Sequence, residues 1–126
     1  MFENASCFAV LPASDLHRAS SFWHDTFGLD PVESFPEGDA EIYDVNGTRV
    51  LVYETQYAGG GQATAFGIDS DDFDRDMAEL KSKGVQFNDY DIPGISTVDG
   101  VVEMGGTRTA WFNDSEGNII ALGERS

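Results

Sequence analysis

Apolar positions recur at helical spacing in two stretches of this chain and alternate, strand-like, through much of the rest. In the first stretch Leu16, Ala19, Trp23 and Phe27 follow at intervals of three and four. Ser14 or Asp15 can cap that helix, and Gly28 supplies a left-handed stop. The second stretch repeats the design with Phe73, Met77 and Leu80, capped by Asp71 or Asp72 and ended at Gly84. Charge agrees with direction: Asp71, Asp72, Asp74 and Asp76 crowd the positive end of the helix dipole, while Lys81 and Lys83 sit at its negative end.

Each helix follows an apolar run. Residues 8–11 predict a first strand, stopped by Pro12, which cannot donate to a ladder. After the helix, Asp30-Pro31 restarts the chain as extended, and residues 31–35 predict a short strand. A turn at 36–39 leads into two β-rich runs, 40–45 and 49–54, around Asn46-Gly47-Thr48, a strong hairpin signal. Three consecutive glycines at 59–61 mark residues 57–62 as a joint. They are read as a connector and not as a phosphate cradle, because no Lys-Ser or Lys-Thr and no helix N-terminus follows directly. Beyond it come a strand at 63–69, the second helix, a strand beginning at 85–87 and a final hairpin, 107–113 with 118–123. Residues 88–106, rich in Asp, Gly and Ser, predict a long loop with one short strand, a candidate lid. The expected fold class is α+β: one domain over 1–126 built of two βαβββ half-repeats, about 6–56 and 63–124.

Composition narrows the function. The 126 residues, 40% hydrophobic and 12% aromatic, suit a globular protein. No apolar run approaches a membrane span, and MFENASCF lacks the basic start of a secretory leader, so a cytoplasmic location and no membrane partner are expected. A lone cysteine, Cys7, excludes an internal disulfide and is expected to be a buried small residue. The net charge of −16 argues against nucleic-acid partners, which need clustered Lys or Arg. Either the surface is acidic for solvation in a salty cytoplasm, or it draws in a cationic ligand.

The two βαβββ halves, Asp15-Leu16 followed by Phe22-Trp23-His24-Asp25 and Phe27-Gly28-Leu29, and the terminal Asp114-Ser115-Glu116-Gly117-Asn118-Ile119-Ile120 resemble the vicinal oxygen chelate superfamily. That superfamily includes glyoxalase I, extradiol dioxygenases, and fosfomycin- and bleomycin-resistance proteins. The resemblance implies curved mixed sheets around a cavity, helices on the outer face, and a homodimer. It also implies a divalent metal held by His, Glu or Gln side chains, one from each of several strands. Counted from the motifs, those positions fall on Phe8, Val52, Ala63 and Ala121, none of which can bind a metal. His17 and His24, seven apart on the first helix, are expected to face solvent.

Same-face neighbours of the lost ligands would then line the hollow: Phe8 and Val10, Val52 and Glu54, Ala63 and Ala65, Ile119 and Ala121, with Tyr43, Tyr57 and Trp111 as aromatic walls and Tyr53 a further candidate. Such a lining suits a bulky organic ligand. Three functions are open. The first is a metal-free, cofactor-free binding protein that sequesters a bulky or cationic organic compound. The second is a lyase, isomerase or dioxygenase-like enzyme with Glu54 as general base, or with unrecognised metal ligands. The third is a structural module whose hollow is filled.

Overall fold

A computed structural model describes residues 1–125; Ser126, the last residue of the expected domain, lies outside them. The chain divides into two compact units between Gly60 and Gly61.

The first unit runs β1 (Phe8–Ala13), α1 (Leu16–Phe22), a π-helical turn (Trp23–Phe27), β2 (Glu33–Phe35), a 3-10 turn (Pro36–Gly38), β3 (Ala40–Val45) and β4 (Thr48–Glu54). The sheet order is β1-β4-β3-β2, with β1 parallel to β4 and the other pairs antiparallel. Asp15 caps α1, its carboxylate accepting the Arg18 N–H at 3.0 Å. Gly28 ends the π-helical turn at φ 70°. Asn46 and Gly47, at φ 49° and 96°, form the two-residue turn that pairs Val45 with Thr48.

That turn fixes which side chains share a face. Register joins Leu11 to Val52 and Ala13 to Glu54 across β1 and β4, and Val50 to Tyr43 across β4 and β3. Leu11, Ala13, Tyr43, Val50 and Val52 are buried, and the Trp23 ring stacks on Tyr43 at 4.5 Å. The core of this unit therefore lies between α1 and one sheet face. The opposite face carries Phe8, Val10, Leu51, Tyr53, Ile42, Ala40 and Phe35.

The second unit runs β5 (Thr64–Ser70), α2 (Phe73–Ser82), β6 (Asp91–Ile92), β7 (Ile95–Ser96), β8 (Val101–Met104), β9 (Thr107–Asn113) and β10 (Ile119–Glu124). Its main sheet, β5-β10-β9-β8 with β5 parallel to β10, repeats the topology of the first, and β6 and β7 form a separate hairpin. Asp72 caps α2 through the Arg75 N–H at 3.2 Å. Phe73 and Met77 are buried, as are Ala110, Phe112, Ile120 and Leu122 on the sheet. Arg108 lies 4.7 Å over the Phe73 ring and pairs with Asp74 at 2.8 Å and Glu124 at 2.9 Å. The Arg108 guanidinium, by hydrogen bonding to both, holds the two carboxyls below their usual range. The Asp114 carboxylate accepts the Glu116 and Asn118 N–H groups at 2.9 and 2.8 Å, so the terminal motif is a hydrogen-bonded turn.

Several expectations need correction. Pro12 does not stop β1, because β1 is an edge strand and a missing donor is tolerated on an open edge. The first helix changes to a π-helical turn at Trp23, and β2 starts at Glu33 rather than Pro31. Residues 85–87 form no strand; Phe87 makes only an isolated bridge to Phe112. The loop expected at 88–106 contains three short strands rather than one. The Asp89 carboxylate pins it, accepting from the Thr97 hydroxyl at 2.9 Å and the Gly100 N–H at 2.8 Å. Cys7 is exposed rather than buried, since it precedes β1 outside the helix-covered core. Among the described residues no helix is long and apolar enough to cross a membrane.

Candidate functional site

The uncovered face of the first sheet forms an open cavity of about 610 Å³. Its floor is apolar, made by Phe8, Phe35, Ala40, Ile42 and Leu51, and its rim by Ser6, Cys7, Gly47 and Arg49. The register explains the grouping, because Phe8 lies beside Arg49, Ile42 beside Leu51 and Phe35 beside Ala40. Phe8 is 59% exposed, although aromatic side chains are normally packed away. Of the carboxylates on this face, Asp44 accepts the Gly47 N–H at 2.8 Å, and Glu33 lies 3.9 Å from the Arg49 guanidinium.

The residues expected at one hollow fall into separate places. Phe8 lines the cavity, and Val10 shares its sheet face at 48% exposure. Val52, Glu54 and Tyr43 belong to the opposite, helix-covered face. A register error of one residue moves a whole strand's side chains to the other face; the residues of β4 beside Phe8 and Val10 are Arg49 and Leu51. Glu54 has an evident local partner there, its carboxylate accepting the Leu16 N–H of α1 at 3.0 Å. Burial raises the Tyr43 phenol, whose hydroxyl lies 3.3 Å from Glu41. Tyr57 is 82% exposed in the turn that opens the joint. In the second unit, Ala63 sits at a bend before β5, whereas Trp111 and Ala121 are directly paired across β9 and β10. Trp111 is nearly buried and meets the Tyr90 ring edge-on at 5.6 Å. Thus Phe8 and Val10 share one face, Trp111 and Ala121 another, and Val52, Glu54 and Tyr43 a third.

Sequence reasoning missed Leu51, Ile42, Ala40, Phe35 and Arg49. The signal that could have found them is Asn46-Gly47: a two-residue turn dictates the pairs Asp44–Arg49, Ile42–Leu51 and Ala40–Tyr53.

His17 and His24 are exposed. The Nδ1 of His24 lies 2.7 Å from Asp30, which raises its pKa. A divalent ion of the kind the resemblance implies needs three or more N or O donors converging on one point. Among the described residues no three His, Cys, Asp or Glu side chains converge in that way. The first sheet's open face offers Arg49 beside the Asp44 and Glu33 carboxylates, apolar side chains and the Tyr53 phenol, and Ala121 is flanked by Trp111 and Gly67. These residues do not fit the metal.

Comparison with known proteins bears on both units. Residues 8–122 match the model of the Glyoxalase/Bleomycin resistance protein/Dioxygenase superfamily. Among solved structures, a lactoylglutathione lyase from Agrobacterium tumefaciens superposes with a TM-score of 0.71 at 18% identity, covering 97% of this chain and 95% of its own. A genomically encoded fosfomycin resistance protein from Listeria monocytogenes gives 0.74 at 12% identity, over 98% and 94%. A glyoxalase/bleomycin resistance protein/dioxygenase from Alicyclobacillus acidocaldarius gives 0.73 at 19%, over 96% and 91%. No curated protein matches the chain. At these identities the structural likeness establishes the fold.

Proposed function

Because the chain belongs to the glyoxalase/bleomycin resistance protein/dioxygenase superfamily, we propose that it is a binding protein for a bulky organic molecule, held without a metal against the uncovered face of its first sheet. The observation that carries this is the open apolar cavity of about 610 Å³ walled by Phe8, Phe35, Ile42 and Leu51. That volume falls within the range of small-molecule sites, roughly 300–1,000 Å³. Leaving these side chains in water forgoes about 25 cal/mol for each Å² of apolar surface that a ligand would cover. The open cavity also speaks against the third reading, a filled structural module.

The enzyme reading has less support. Its base, Glu54, accepts a helix N–H on the covered face and does not line the cavity. A general base must lie within hydrogen-bond reach of the proton it takes.

The neutral fluorophore N-phenyl-1-naphthylamine tests the proposal. Its emission is expected to rise saturably on titration and to be unchanged by EDTA. Ile42→Asp, which places a charge on the cavity floor, is expected to weaken binding about tenfold or more. Cys7 gives an independent readout, since it is the single cysteine and stands at the rim. Bound fluorophore is expected to slow its alkylation by iodoacetamide. Fluorescence insensitive to Ile42→Asp, with no protection of Cys7, would defeat the assignment.

The proposal includes a homodimer, supported by the resemblance to that superfamily. Light scattering on the eluting protein is expected to give twice the 13.7 kDa chain mass, and a monomer mass at working concentration would remove this part.

A further inference from the structure

We infer that the ligand of this cavity carries an anionic group, a carboxylate or sulfonate joined to a flat apolar body, and that Arg49 selects for it. The inference rests on the proposed binding function and departs from the cationic ligand that overall charge suggested.

The reason is local. In a chain of net charge −16, the ionised side chain at the cavity rim is a guanidinium. Its distance to the Glu33 carboxylate, 3.9 Å, is too long for a hydrogen bond. Both side chains of that pair are about half exposed, at 56% and 49%, so the pair is weak and easily exchanged. The other carboxylate on the same sheet face, Asp44, already accepts the Gly47 N–H. A guanidinium presents a planar fork of donors that matches an oxyanion and can hold it through two parallel bonds. Directly beside it, register places Phe8 on β1, with Leu51 two residues along the same face of β4. A ligand lying on Phe8, Leu51 and Ile42 therefore brings one edge to Arg49. A cationic ligand in the same position would meet like charge at the rim. The acidic surface elsewhere repels anions over the Debye length, about 8 Å at physiological salt. Anion binding at Arg49 must then reflect the site, because non-specific attraction has the wrong sign.

The experiment compares 8-anilinonaphthalene-1-sulfonate with N-phenyl-1-naphthylamine, which share an aromatic skeleton and differ by the sulfonate. On wild-type protein the sulfonate is expected to bind about tenfold more tightly. Arg49→Gln is expected to abolish the preference and Arg49→Lys to keep part of it. Protection of Cys7 from iodoacetamide by each compound confirms that both occupy this cavity. Equal affinities, or a preference that survives Arg49→Gln, would overturn the anion assignment and leave the binding proposal standing. Failure of both compounds to protect Cys7 would overturn the two together.

Discussion

Replacing Trp23 by alanine is expected to remove about 3–5 kcal/mol of folding stability, the usual cost of deleting a large buried aromatic. Trp23 is 1% exposed, stacks on Tyr43 at 4.5 Å with 23° between ring planes, and meets the Phe27 ring edge-on at 4.9 Å. Each such aromatic pair adds about 0.5–1.5 kcal/mol beyond the area it buries. The substitution also opens a cavity where the π-helical turn rests on the sheet. Urea unfolding followed by circular dichroism measures the loss, and Trp23→Phe is expected to recover more than half of it. A loss under about 1 kcal/mol would mean that this ring is not the centre of the first unit's core.

The second large effect belongs to Gly100. Its φ is +80°, and a β-carbon built there would lie 2.8 Å from the Phe87 β-carbon. Gly100→Ala therefore meets two penalties, a left-handed conformation and an overlap that neither backbone can relieve cheaply, and is expected to cost about 2–3 kcal/mol. It also strains the bond from the Gly100 N–H to Asp89, which pins the loop between α2 and β8. Gly60→Ala is the matched control, because a β-carbon there meets nothing within 4 Å and φ is ordinary. Its expected change is within about 0.5 kcal/mol. Equal losses at the two positions would show that the overlap at Phe87 does not matter.

Most of the fold was legible in the sequence. Helix caps and stops act over four or five residues, so Asp15, Asp72 and Gly28 could be read directly. The Asn46-Gly47 hairpin and the terminal turn at Asp114 were equally local. What failed depended on position in the sheet. Whether Pro12 interrupts β1 turns on β1 having one neighbour rather than two, which no window of sequence contains. The 85–87 run has strand-like composition, yet only Phe87 finds a partner.

The site was harder for the same reason. Counting from motifs chose Val52 and Glu54 as neighbours of Phe8, but parallel pairing puts Arg49 and Leu51 on its face. An error of one residue exchanged a buried valine for a half-buried leucine and a helix-bound glutamate for a tyrosine. Overall charge is silent on the site as well. A sum over the chain gives −16 and says nothing of the one guanidinium at the cavity rim.

The parallel pairing of β1 with β4 also sets an order of events. β3 and β4 meet across a two-residue turn, a closure that takes about 1–10 μs in isolated hairpins. β1 can join β4 only after a loop containing α1, β2 and β3 has closed, at a larger entropic cost. Ile42, Leu51 and Arg49 are therefore set early, and Phe8 and Cys7 arrive with the last strand. One wall of the cavity thus forms late, while the hairpin that carries Arg49 is already paired.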